Sequence, residues 1–105
     1  MRTYVRTRVA GGTYFFTVNL AERHGNTLLV DHIDALKHAL RRTQQDHHFT
    51  MLAFVVLPEH LHCMWRLPPS DDDFPMRWRL IKSRFSRGLP KNERRLPSRE
   101  GRRLG

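Results

Sequence analysis

The sequence predicts an α+β sandwich in which one antiparallel sheet carries helices on one of its faces. Three observations predict it. Segments rich in aromatic and β-branched residues stand at "TYFFTVNL", "TMLAFVVL" and "HLHCMWRL", bounded by Gly, Pro and polar turns, as strands require. Two further segments repeat apolar residues at helical spacing, one after Asp31 and one after the acidic "SDDDF". The order that results is β-α-β-β-α. It supplies five of the six elements of a split βαβ, ferredoxin-like sandwich, and its last strand has no recognisable counterpart.

At 105 residues the chain has material for one domain and one small core. Residues 1–89 are read as that domain and residues 90–105 as a basic disordered tail with no internal periodicity. The single cysteine, Cys63, excludes an internal disulfide and a four-cysteine zinc site, and suits a reducing compartment. The longest apolar run, Met51 to Leu57, is far shorter than a bilayer span, and "MRTYVRTRVAGG" contains no signal-peptide core. A cytoplasmic protein with no membrane partner is the expectation.

Each element has its own warrant. The first strand runs from about Thr13 to Leu20 after Gly11-Gly12, with Tyr14, Phe16, Val18 and Leu20 on an apolar face. Thr13, Phe15, Thr17 and Asn19 form the other face. "RHGNTL" is a loop, and Asp31 is expected to N-cap a helix to about Gln45 whose stripe is Ile33, Leu36, Ala39 and Leu40. "TMLAFVVL" reads as a buried strand stopped by Pro58, and Pro58-Glu59 leaves room only for a tight hairpin. The next strand, about His60 to Leu67, ends at Pro68-Pro69. "SDDDF" opens the second helix, whose core face is Trp78, Ile81 and Phe85 and which Gly88 and Pro90 end.

The net charge of +9 is not spread evenly. Up to Pro75, eight Lys/Arg balance eight Asp/Glu; from Met76 onward there are eleven against two. A neutral body with a basic C-terminal third points to a polyanion, and nucleic acid is the first candidate. On the second helix the cations are Arg77, Arg79, Lys82, Arg84 and Arg87, with no acid among them. They are the DNA-contact candidates, together with the arginines that follow.

His60 and His62 are one residue apart on a strand, so they project from one face with Cβ atoms roughly 7 Å apart. Two imidazoles at that separation can converge on one divalent ion. Leu61, Cys63 and Trp65 then face the helices, which leaves the histidines on the open side of the sheet. Cys63 is a small core residue on this reading. His24, His32, His38, His47 and His48 fall in loops or on helix surfaces.

"VVLPEHLHCMWRLP", followed by "SDDDF" and "RWRLIKSRFSR", resembles the REP-associated tyrosine transposases, relatives of single-strand transposases with a histidine, hydrophobic residue, histidine signature. "GGTYFFTVNL" looks like that family's first strand and "LLVDHIDALKHAL" its first helix, so the resemblance runs from about Arg8 to Leu89. It implies that His60 and His62 hold Mg²⁺ or Mn²⁺ against a scissile phosphodiester of single-stranded DNA beside a palindromic hairpin. It also implies that a tyrosine attacks phosphorus, leaving a 5′-phosphotyrosyl link and a free 3′-hydroxyl.

The sequence departs from the family after Leu89. The family tyrosine lies on a helix beyond the last strand, near the third metal ligand, whereas the only tyrosines here are Tyr4 and Tyr14, both upstream of the histidines. The resemblance therefore implies a C-terminally truncated member with an incomplete metal site and no catalytic tyrosine. Homodimerisation stays open, and no small-molecule substrate is expected. Two other readings remain: a non-catalytic DNA-hairpin binder, and an RNA-binding module that uses the open sheet face.

Overall fold

The computed structural model describes residues 9–20 and 26–90, together with the backbone of residues 2–3. Tyr4, His24 and the tail from residue 91 onward, with its arginines, lie outside the described residues. The elements are β1 (Arg2–Thr3), β2 (Thr13–Asn19), α1 (Leu28–Asp31), α2 (Ile33–Asp46), β3 (Thr50–Val56), β4 (His60–Arg66) and α3 (Phe74–Arg87). The sheet order is β1-β2-β4-β3 and every pairing is antiparallel. It follows that β2 and β3 run parallel to each other with β4 between them, a split β-α-β unit as the element order predicts.

Alternation fixes which face is covered. Phe16, Val18, Leu61 and Trp65 are 0% exposed, and they interleave with the half-buried or exposed Phe15, Thr17, His62 and Met64 on the other face. The helices lie on the first face. Leu36, Ala39 and Leu40 of α2 and Trp78, Ile81 and Phe85 of α3 complete one core. Its centre is aromatic: Trp65 stacks on Phe49 (centroids 4.0 Å apart) and on Trp78 (4.8 Å), with Phe16 edge-on to both tryptophans. Tyr14 belongs to this face as expected, 5% exposed, and its hydroxyl donates to the Val9 carbonyl at 2.7 Å.

Local chemistry explains the turns. Gly11 takes φ +68°, and a Cβ there would meet the Pro69 backbone at 2.9 Å, so only glycine fits. Its N–H donates to the Asp71 carbonyl, which ties the start of β2 to the loop before α3. At the N-terminus of α3 the Asp73 side chain accepts from Met76 N–H at 3.1 Å, with a proline in the first turn. Gly88 caps the C-terminus as expected, but with right-handed φ −79°. A Cβ at Gly88 would lie 3.4 Å from the Ala35 side chain, an ordinary contact distance between α3 and α2.

Three expectations need correction. Asp31 is not an N-cap: it ends the short α1, where its carboxylate accepts from Thr27 Oγ1 at 2.6 Å, and α2 starts after His32 without a side-chain cap. β3 is not a buried strand but an edge strand whose outer face leaves Leu52 and Val55 40% and 53% exposed. A register shift between Met51 and Ala53 puts one extra residue, Leu52, into it. Finally, Arg77 is not on the solvent face of α3. It is 1% exposed and fully engaged inside the molecule, as detailed below.

Candidate metal and nucleic-acid site

The open face of the sheet presents His60 and His62 from β4, flanked by β2 and β3. In the strand register Thr17 faces His62 and Asn19 faces His60, with Val55 opposite His62 on the other side. The two imidazole centroids are 5.0 Å apart with their planes at 81°. Each ring is fixed at Nδ1. Thr17 Oγ1 lies 3.1 Å from Nδ1 of His62, and a Glu59 carboxylate oxygen lies 3.0 Å from Nδ1 of His60. The Phe15 ring stacks on His62 at 5.8 Å and 25°, and it remains 58% exposed. Arg66 lies exposed at the end of the same strand.

The pair offers two nitrogen ligands. Among the described residues no group of three or more His, Cys, Asp or Glu could hold a metal ion. An octahedral Mg²⁺ or Mn²⁺ tolerates this, because such ions keep several water or phosphate oxygens in their shell. Cys63 cannot add a ligand. It is buried on the opposite face, and desolvation pushes its thiol up to about 12.

The expected basic face of α3 divides into three. Arg79 and Arg87 are exposed, Arg87 with a bond to Ser83 Oγ at 2.6 Å. Lys82 and Arg84 are half-buried. Burial holds the Lys82 ammonium below its ordinary pKa, and Arg84 spans to α2 through Thr43 Oγ1 (2.9 Å) and Asp46 (2.6 Å). Arg77 is the buried one, and its guanidinium donates to both Asp71 carboxylate oxygens and to the carbonyls of His47, His48 and Asp73. A signal for this was present: Arg77 is four residues before Ile81 and eight before Phe85, in phase with the apolar stripe.

The structure does not bring the histidines and the helix cations together. α3 packs through Trp78 on Phe16 and Trp65, the covered face, whereas His60 and His62 are on the open one. His32, His38, His47 and His48 belong to the α2 region and take no part in the pair. Sequence reasoning missed Glu59 as a partner of the pair, treating it only as a turn residue. No helix of the described residues is long and apolar enough to cross a membrane.

Fold and site together define a small α+β domain that displays a tethered histidine pair on an open antiparallel sheet. No protein-family model matches the sequence. The chain is 49% identical over 86 residues to the REP-associated tyrosine transposase of Escherichia coli K12, covering 82% of this chain and 52% of that protein. It is 36% identical over 91 residues to a putative REP-associated tyrosine transposase of Haemophilus influenzae, covering 87% of this chain and 51% of the relative. A solved structure of the REP-associated tyrosine transposase bound to a REP hairpin superposes with TM-score 0.76 at 48% identity, over 85% of this chain and 55% of that one. The chain is a homologue of the REP-associated tyrosine transposases, and it spans about half the length of the curated relatives it matches.

Proposed function

We propose that this chain is the histidine-pair-bearing part of a DNA-processing protein that acts on single-stranded DNA beside a palindromic hairpin, in DNA transposition. The observation that carries the reading is the pair itself: His60 and His62 side by side on the open face, each with Nδ1 already engaged. Homology to a protein whose solved structure holds a REP hairpin supports the choice of DNA. His60 and His62 would hold the Mg²⁺ or Mn²⁺ ion, and the ion, when bound, supplies polarisation of a phosphodiester oxygen. Arg79 and Arg87, with the half-buried Lys82 and Arg84, are the phosphate contacts on the helix layer. Because the pair lies on the other face, these contacts position DNA rather than stabilise a reacting phosphate.

Strand cleavage by these 105 residues alone is not expected. No tyrosine follows His62 in the sequence, and Tyr14 is buried on the covered face with its hydroxyl engaged by both the N–H and the carbonyl of Val9. In this reading the chain carries the first elements of a ferredoxin-like sandwich. The last strand and the catalytic helix that the resemblance implies are not among the elements of its described residues. The test is labelled single-stranded hairpin DNA with Mn²⁺, run on native and denaturing gels. Retardation on the native gel with no covalent band on the denaturing gel is the expected result. A covalent band would show a nucleophile within the chain, and absence of retardation would remove the DNA reading.

The exposed Phe15 beside His62 favours a second reading, a non-catalytic module that stacks unpaired bases of DNA or RNA on the open face. It predicts tighter binding of unpaired strands than of hairpin DNA at equal salt, and an RNA-binding module would in addition prefer single-stranded RNA to single-stranded DNA.

A further inference from the structure

We propose that Glu59 and Thr17 are positioning residues for the histidine pair: they hold the Nδ1 nitrogens of His60 and His62 and leave the Nε2 nitrogens as the atoms that bind a divalent cation. The inference rests on the reading of the pair as a metal site and adds the two residues that prepare it. An ionised carboxylate only accepts hydrogen bonds, so at 3.0 Å from Glu59 the His60 Nδ1 must carry the proton. A neutral His60 then has its lone pair on Nε2. Thr17 Oγ1 lies 3.1 Å from Nδ1 of His62. A hydroxyl can donate or accept; in the accepting role assigned to it here, it puts the His62 proton on Nδ1 as well.

Both partners are themselves held in place. Thr17 sits directly across from His62 in the strand register, between Phe16 and Val18, which are 0% exposed. Glu59 belongs to a turn closed by Leu57 N–H to the His60 carbonyl (2.8 Å), and its own carbonyl accepts from Leu20 N–H at 2.9 Å. Leu29 N–H donates to the Pro58 carbonyl in the same turn at 3.3 Å. The turn is therefore anchored to the end of β2 and to the start of α1. Phe15, stacked on His62, restricts that ring from a second direction. Two unrelated oxygens engage the same nitrogen of two neighbouring rings, and with both accepting, the same nitrogen is left free on each. Partners of this kind fix ring orientation and raise ligand basicity.

The test uses the whole chain in five forms: wild type, Glu59→Ala, Glu59→Gln, Thr17→Val and Thr17→Ser. Long-range ¹H–¹⁵N spectra of the metal-free protein, at a pH where imidazole is neutral, report the tautomer of each ring. Electron paramagnetic resonance of free Mn²⁺ reports affinity. Wild type shows Nδ1–H at both rings. Glu59→Ala mixes the tautomers of His60 only and weakens Mn²⁺ by roughly 10–100-fold, and Thr17→Val does the same through His62 only. Glu59→Gln and Thr17→Ser, which keep an accepting oxygen, keep the tautomer and most of the affinity. Unchanged tautomers in Glu59→Ala and Thr17→Val overturn the proposal, as does an equal loss in Thr17→Val and Thr17→Ser. Tautomer shifts as expected, in a wild type that takes up no Mn²⁺, would sink the metal reading and leave the orienting contacts standing.

Discussion

The Arg77 guanidinium and the Asp71 carboxylate form two parallel hydrogen bonds, at 3.1 and 2.9 Å, in the seam between α3 and the loop that precedes it. Three backbone carbonyls complete the arginine's set of acceptors, two of them from His47 and His48 just after α2. The site ties together α3, the loop that precedes it and the segment that follows α2. Removing the guanidinium strands several acceptors and a carboxylate. Arg77→Ala is expected to lose about 3 kcal/mol in urea unfolding, at the lower end for breaking a buried pair because Asp71 keeps some solvent contact. Arg79→Ala, on the exposed side of the same helix, is expected to stay within about 0.5 kcal/mol of wild type.

The same pair sets an acid limit on stability. Hydrogen bonds from Arg77, then from the Asp73 N–H, bring the Asp71 carboxyl down to about 2. The unfolded chain titrates it near 3.9. Because the folded pKa is the lower one, the contribution is fully present above about pH 4 and is lost as pH falls toward 2. The stability difference between wild type and Asp71→Asn is therefore expected to shrink across that window. A difference that stays constant from pH 5 to pH 2 would contradict the assignment.

The Cys63 thiol is 1% exposed and burial raises it to about 12. Folded protein at pH 8 is expected to react with a disulfide reagent orders of magnitude more slowly than the same chain in urea. Fast native-state labelling would mean that the sheet and helix layers separate on the timescale of the reaction.

If the cations of α3 contact phosphate, they should do so unequally. Arg79→Ala and Arg87→Ala are expected each to weaken hairpin binding for every sequence tested and to lower the salt slope by about one. Arg77→Ala should leave the slope alone and act through stability. Filter binding over a salt series separates the two effects.

Much of this was legible in the chain. Tyr14, Phe16 and Val18 alternate with Phe15, Thr17 and Asn19, and period two needs no tertiary information to assign a face. The acidic "SDDDF" and Gly88 marked the ends of α3 for local reasons, and the structure assigns the cap to Asp73. What was not legible depended on contacts from elsewhere. β1 is two residues long and exists only through its pairing with Asn19 and Val18 of β2. The apolar run of β3 gave no sign of being an edge, because edge position is set by which strands pair across the sheet, and the bulge at Leu52 is likewise invisible in the run itself. Arg77 was misplaced by its charge, although its spacing from Ile81 and Phe85 put it on the inner stripe. At the site, the shared face of His60 and His62 followed from spacing. The pairing of Nδ1 with Glu59 and Thr17 needed the turn and the neighbouring strand in three dimensions.

The most direct test of the central claim is Mn²⁺ titration followed by the histidine ring resonances of the whole chain. His60 and His62 are expected to broaden first and together, at substoichiometric metal, with His32, His38, His47 and His48 unaffected. Broadening that begins at any of those four, or that spreads evenly over all the rings, would contradict a divalent-cation site at the pair.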